Sequence, residues 1–156
     1  MPKLFSDRSV PKRLGELNKM GLLADLTRRE IRVVDGFMHE RKYLRDEVIF
    51  DEGEQGEALY LVLEGQVLIC RQGQSQPPIA TLEAGQFFGE LALLDDAPRS
   101  AQARAADDCT LLVLFRGDFQ GLMQSHGLIA SKIAIQLARH LGARLRASTT
   151  GAARPL

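Results

Sequence analysis

Several things are scarce in this sequence, and each scarcity removes a class of protein. There are two cysteines, Cys70 and Cys109, and both sit inside apolar runs. They read as small core residues of a reducing compartment, not as a disulfide frame. Positive and negative side chains cancel to a formal net charge of zero. A nucleic-acid binder usually carries a basic excess, so that partner class is disfavoured. No apolar run approaches the length of a membrane span, and the N-terminus lacks a signal-peptide pattern. A soluble, cytoplasmic protein is expected. Its 156 residues suffice for one core but not for two.

What is present falls into three blocks. Met1 to Val10 is polar and expected to be loose, and residues 11–147 form one domain. Pro11 suits the first turn of a helix running to about Met20, where Gly21 stops it. Thr27 and Glu30 stand at capping-box spacing. The helix they open carries Ile31, Val34 and Met38 on one face, and His39 ends it as a partly exposed side chain. Helices are thus expected over 11–40. From Tyr43 the period becomes strand-like. Short apolar runs at Val48–Phe50, Ala58–Leu63, Gln66–Arg71, Ile79–Leu82, Gln102–Ala105 and Thr110–Phe115 are separated by turns, several of them glycine turns. Such spacing predicts an antiparallel β-roll or barrel over 43–115. The acidic glycine loop after Phe50 lacks the ligand register of a calcium loop and reads as a solvated turn. Gln72 to Pro78 reads as a polar hairpin loop.

Helices return over 117–147. A short one carries Phe119, Leu122 and Met123. A long one follows, with Ala130, Ile133, Ala134, Leu137, Ala138, Leu141 and Leu145 on one broad apolar arc. That arc is wide enough to cover the roll and also meet a partner helix. Lys132, Gln136, Arg139, His140 and Arg146 lie on the other side. Arg144 breaks the pattern, because it points within the arc. Residues 148–156 are small and polar and read as a flexible tail.

The stretch that organises the rest is Phe87-Phe88-Gly89-Glu90-Leu91-Ala92-Leu93-Leu94, followed by an acidic turn and Pro98-Arg99-Ser100-Ala101. Gly89 permits close backbone approach. A helical start offers free N–H groups to an anion. Arg99 adds a fork for two phosphate oxygens, and Ser100 adds a hydroxyl. Glu90 repels a phosphate but suits a hydroxyl donor such as a ribose. The combination reads as a receptor for a sugar phosphate. A bare turn with a Glu90–Arg99 ion pair is the plainer alternative.

This stretch closely resembles the phosphate-binding cassette of cyclic nucleotide-binding domains, F-G-E-[LI]-A-L followed by P-R-[STA]-A. The resemblance extends over roughly residues 15 to 147, including turn glycines at Gly53, Gly56 and Gly65. It implies a β-roll with N-terminal helices and a long C-terminal helix. It implies that Glu90 takes the ribose 2′-hydroxyl and that Arg99 pairs with the cyclic phosphate. Phe88 and Gly89 lead into the cradle, which backbone N–H groups near Leu91 and Ala92, Ser100 and the amide of Ala101 complete. The ligand would be cyclic AMP or cyclic GMP; Ser100 is compatible with both, with a lean to cyclic AMP. A cyclic dinucleotide stays open.

In related domains the end of the long helix covers the base, so Arg144 is a candidate base cap. The alternative is an arginine whose stem lies on apolar surface while its head reaches water. The same helix often forms a dimer seam, so a homodimer is expected. No cofactor or metal is called for. The three histidines, His39, His126 and His140, lie outside the predicted strands, unlike the metal cluster of a cupin-type enzyme. Arg104, in a later strand, reads as a structural ion pair or a support behind the phosphate. Neither a DNA-binding module nor a catalytic one is visible. The expected function is a sensor that signals to an unknown downstream protein by moving its C-terminal helix. The rival is an interaction module that keeps the fold and has lost the ligand.

Overall fold

The computed structural model describes residues 12–71 and 77–150. The segments read above as a loose N-terminus, the Gln72–Pro78 loop up to residue 76, and the tail from residue 151 lie outside the described residues. Helix α1 spans residues 12–18, and a 3-10 turn follows at Gly21–Leu23. Helix α2 is Arg28–Asp35, opened by the capping box that the spacing predicts. The Glu30 amide donates to Thr27 Oγ1 at 3.2 Å, and the Thr27 amide donates to Glu30 Oε1 at 2.9 Å. Those two bonds and Lys132 together lower the Glu30 pKa.

Eight strands follow among the described residues: β1 His39–Tyr43, β2 Val48–Phe50, β3 Ala58–Glu64, β4 Val67–Cys70, β5 Ala80–Leu82, β6 Phe87–Phe88, β7 Gln102–Ala105 and β8 Cys109–Phe115. They form two antiparallel sheets, ordered β1-β8-β3-β6 and β2-β7-β4-β5. The chain closes with α3, Arg116–Ser125, and α4, Gly127–Thr150.

The first sheet is sandwiched, and its side-chain alternation shows how. In β3, Leu59 and Leu61 face the helices, whereas Tyr60 and Val62 face the second sheet. In β8, Leu112 and Leu114 face the helices, and Cys109 and Leu111 face the roll interior. Burial on both faces explains why these strands read as continuous apolar runs. The helical layer contributes Leu17, Ile31, Val34, Leu122, Ile133 and Leu137, each at most 2% exposed. Both cysteines are free and buried. The β3–β4 turn requires glycine at position 65. Its φ is +88°, and a Cβ there would stand 2.5 Å from the Asp108 carbonyl oxygen.

At two boundaries the elements differ from the sequence reading by three residues or more. The second helix ends at Asp35, and His39 opens a strand paired with β8, opposite Val113. That strand, His-Glu-Arg-Lys-Tyr, is exposed over its first four residues. It has no apolar face and lies at a sheet edge, where charged side chains discourage further pairing. Periodicity therefore could not reveal it. The long helix also continues to Thr150, three residues beyond its expected end, because Ser148, Thr149 and Thr150 prolong it without an apolar signal.

Candidate functional site

The cassette is held from below by the acidic glycine loop. The Arg99 amide donates to the Glu54 carbonyl at 2.6 Å, and the Gly53 amide donates to the Arg99 carbonyl at 2.8 Å. Gln55 and Pro98 form a bridge between them. Gly56 allows the approach, since a Cβ there would lie 3.1 Å from Ala92 Cβ and 3.3 Å from Arg99 Nε. Arg116 Nη1 then ties the two segments together through the carbonyls of Gly56, Ala92 and Asp95, at 3.2, 3.0 and 2.6 Å. The loop is thus more than the solvated turn expected. Glu54 and Glu57 are exposed and Asp51 and Glu52 are half-buried, but it is the backbone of the loop that fixes the arginine.

Gly89 has φ +74°, and a Cβ there would fall 2.7 Å from Arg99 Nη1. The left-handed turn directs the chain into a 3-10 turn, Glu90–Leu93. This turn is a single short coil, not the helix start that the sequence suggests. The Ala92 amide is committed to the Gly89 carbonyl at 3.2 Å. Leu91 is exposed at the rim, and Ala92 and Phe88 are buried.

The Arg99 guanidinium is locked in place. Nη2 donates to the Ala58 carbonyl at 2.7 Å, and Nη1 donates to the Gly89 carbonyl at 3.2 Å. Its central carbon lies 4.1 Å from the Phe50 ring centroid and 5.8 Å from that of Tyr60. Tyr60 in turn stacks on Phe88, with centroids 5.1 Å apart and planes 9° apart. This aromatic platform supports a planar cation through its π faces. Burial lowers the pKa of Arg99, against the opposing pull of the nearby carboxylates Glu54, Glu90 and Glu57. Arginine remains charged at neutral pH, so the site holds a partly desolvated cation.

Glu90, 5% exposed, is a buried carboxylate. Its Oε1 accepts from Arg144 Nη1 at 2.7 Å, and His140 Nε2 stands 3.8 Å away. The His140 ring packs on Phe87, with centroids 4.5 Å apart. Glu90, Arg99, Ser100, Ala101, His140 and Arg144 all line one cavity of about 760 Å³. Its other wall is apolar, with Ile69, Ile79 and Leu82. That volume is in the range of small-molecule sites. The structure therefore brings every nominated residue to one hollow or to its floor.

The sequence pattern alone puts His140 on the polar side of the long helix. The structure places it over the cavity, on the same face as Ile133, Leu137 and Arg144. The signal was available: 133, 137, 140 and 144 follow one helical stripe. Among the described residues Arg104 forms no ion pair with an acid. Its Nε donates to Gln102 Oε1 at 3.3 Å, and Gln102 Nε2 donates to Asp51 at 2.5 Å. Among the described residues no group of three metal-ligating side chains converges, and no helix is long and apolar enough to cross a membrane.

Comparison with known proteins gives this β-roll and its cassette a family. Residues 40–126 match the model of the cyclic nucleotide-binding domain, and the chain belongs to that family. It is 38% identical to the cyclic AMP receptor protein of Thermus thermophilus, over 77% of this chain and 56% of that protein. It is 34% identical to a cAMP-dependent protein kinase regulatory subunit of Hypocrea atroviridis, over 69% of this chain and 22% of that one. Among solved structures, a cyclic nucleotide-binding domain from Methylobacillus flagellatus aligns with a TM-score of 0.77 at 29% identity, covering 92% of this chain and 82% of that one. The chain spans about half the length of the Thermus receptor and about a fifth of the kinase subunit.

Proposed function

We propose that the cavity binds a cyclic mononucleotide, cyclic AMP or cyclic GMP, and that the domain is regulatory rather than catalytic. Arg99 takes the cyclic phosphate, and Glu90 takes the ribose 2′-hydroxyl. The base lies between the apolar wall of β4 and β5 and the inner face of α4. The observation that carries this reading is the pairing in one hollow of a preorganised, partly desolvated guanidinium with a buried carboxylate. A cation waiting on an aromatic platform suits an anion that shares its fork. A thermal-shift screen tests it. Cyclic AMP or cyclic GMP in excess should raise the melting temperature, because a ligand of the folded state alone stabilises it by mass action. No shift with either nucleotide would favour an interaction module that has lost its ligand.

The output runs through α4. Ligand binding shifts the helix that touches Glu90, to the extent that the two states differ in affinity. The helix has two faces. Ala130, Ile133 and Leu137 are buried against the domain. On the outer side Leu128, Ile135 and Leu145 are 69%, 49% and 69% exposed, with Ser131 and Ala138 between them and uncharged. Positions 128, 131, 135, 138, 142 and 145 follow alternating steps of three and four, the spacing of a helix–helix seam. A second copy of the chain is the proposed occupant. Light scattering should give twice the 17.2 kDa chain mass for the wild type and a single chain for Ile135→Asp. A monomeric wild type would remove the homodimer from the account.

A further inference from the structure

We propose that Arg144 is a positioning residue for ribose recognition, and not a cap on the base. The proposal rests on the cyclic nucleotide reading above and deepens it. The Glu90 side chain is 6% exposed, whereas that of Arg144 is 66% exposed. The carboxylate is therefore the buried, fixed partner, and the guanidinium reaches in from solvent to meet it. Their contact, at 2.7 Å, is a short charge-assisted hydrogen bond. It uses Oε1, the same oxygen that His140 approaches at 3.8 Å. Both α4 side chains thus converge on one oxygen. Among the described residues the other oxygen, Oε2, makes no comparable contact, and Glu90 lines the cavity, so Oε2 can accept a hydroxyl from it. An arginine hydrogen-bonded to a carboxylate restrains that group's rotation; a base cap would need the guanidinium plane turned onto the ligand.

The course of α4 supports this placement. Upstream, Lys132 Nζ pairs with Glu30 at 2.9 Å, and Arg139 lies 3.7 Å from Asp25. Gln136 also bonds Asp25. Ile133 and Leu137 are buried on the inner face. Arg144 comes seven residues after Leu137, so the helical repeat returns it to that face, over Glu90. Its reach is set by the helix and not by a flexible loop. Ribose recognition and the position of α4 consequently share one carboxylate, and each must influence the other by the same factor.

The test uses a pair of ligands that differ in one hydroxyl. Wild type, Arg144→Ala and Arg144→Lys are titrated calorimetrically with cyclic AMP and 2′-deoxy-cyclic AMP. The wild type should prefer the ribonucleotide by about tenfold or more, the value of one hydrogen bond to a charged group. In Arg144→Ala that preference should fall to about threefold or less, chiefly through the ribonucleotide, because an unheld carboxylate accepts less well. Arg144→Lys, which keeps the charge, should recover part of it. If Arg144→Ala weakens both ligands equally and keeps the ratio, Arg144 acts on the base and the inference is overturned. A ratio near one in the wild type overturns the hydroxyl role of Glu90 and the inference with it. A wild type that binds neither ligand overturns the cyclic nucleotide reading itself.

Discussion

Arg99→Ala is expected to lower the affinity for cyclic AMP by at least about 2 kcal/mol, roughly thirtyfold, because a charged phosphate would lose its paired hydrogen bonds. The structure explains why the effect belongs to this arginine. Its guanidinium is fixed before any ligand arrives, by the Ala58 and Gly89 carbonyls and by the Phe50 ring. Little side-chain entropy remains to be lost on binding, and rigid placement of a planar fork favours affinity. The same contacts give the substitution a second effect. The two carbonyls lose their donor and Phe50 loses its cover, so the melting temperature should fall as well. Arg99→Lys separates the two roles. It keeps the charge and loses the fork, so its affinity should lie between wild type and alanine. Calorimetric titration of the three proteins reads the result, and an Arg99→Ala variant with unchanged affinity would contradict the phosphate role.

Glu90→Ala should weaken cyclic AMP by about 1.5–3 kcal/mol, the range for a hydrogen bond to a charged group. Its effect on 2′-deoxy-cyclic AMP should be small. This selectivity distinguishes loss of a hydroxyl acceptor from general damage to the cassette. Folding should suffer only modestly from the broken ion pair. Arg144 is mostly exposed, so its charge returns to water instead of being stranded, and pairs of that kind contribute about 0–1 kcal/mol. An equal loss for both nucleotides would show that Glu90 shapes the turn and does not touch the ribose.

The fold was legible where burial is one-sided or complete. The capping box at Thr27, the two-faced burial of β3 and β8, and the glycine turn at Gly65 each left a direct mark on residue type. The strand β1 left none, because its exposed charged residues carry no periodic apolar signal. The run Ser148–Thr150 likewise looked like tail because a helix end in solvent asks nothing of its side chains.

The candidate site shows the same division. Gly89, Glu90, Arg99 and Ser100 lie in one local stretch, so their chemistry could be read in order. The supports of Arg99 could not. Phe50, Tyr60 and the Glu54 carbonyl are separated from it by at least 39 residues of sequence, and only the register of the sheets joins them. The acidic loop was legible as a turn, but its backbone pairing with the cassette was not. In the sequence Arg144 is an oddity on an apolar arc, and the structure explains the oddity. It and His140 lie on the inner stripe because Glu90 lies beneath the end of α4.

A crystal structure of the chain grown with cyclic AMP tests the central claim most directly. The account predicts one nucleotide in the cavity, its cyclic phosphate within hydrogen-bond distance of the Arg99 guanidinium and its 2′-hydroxyl on the Glu90 carboxylate. A nucleotide bound elsewhere, or bound there with its phosphate turned away from Arg99, would contradict it.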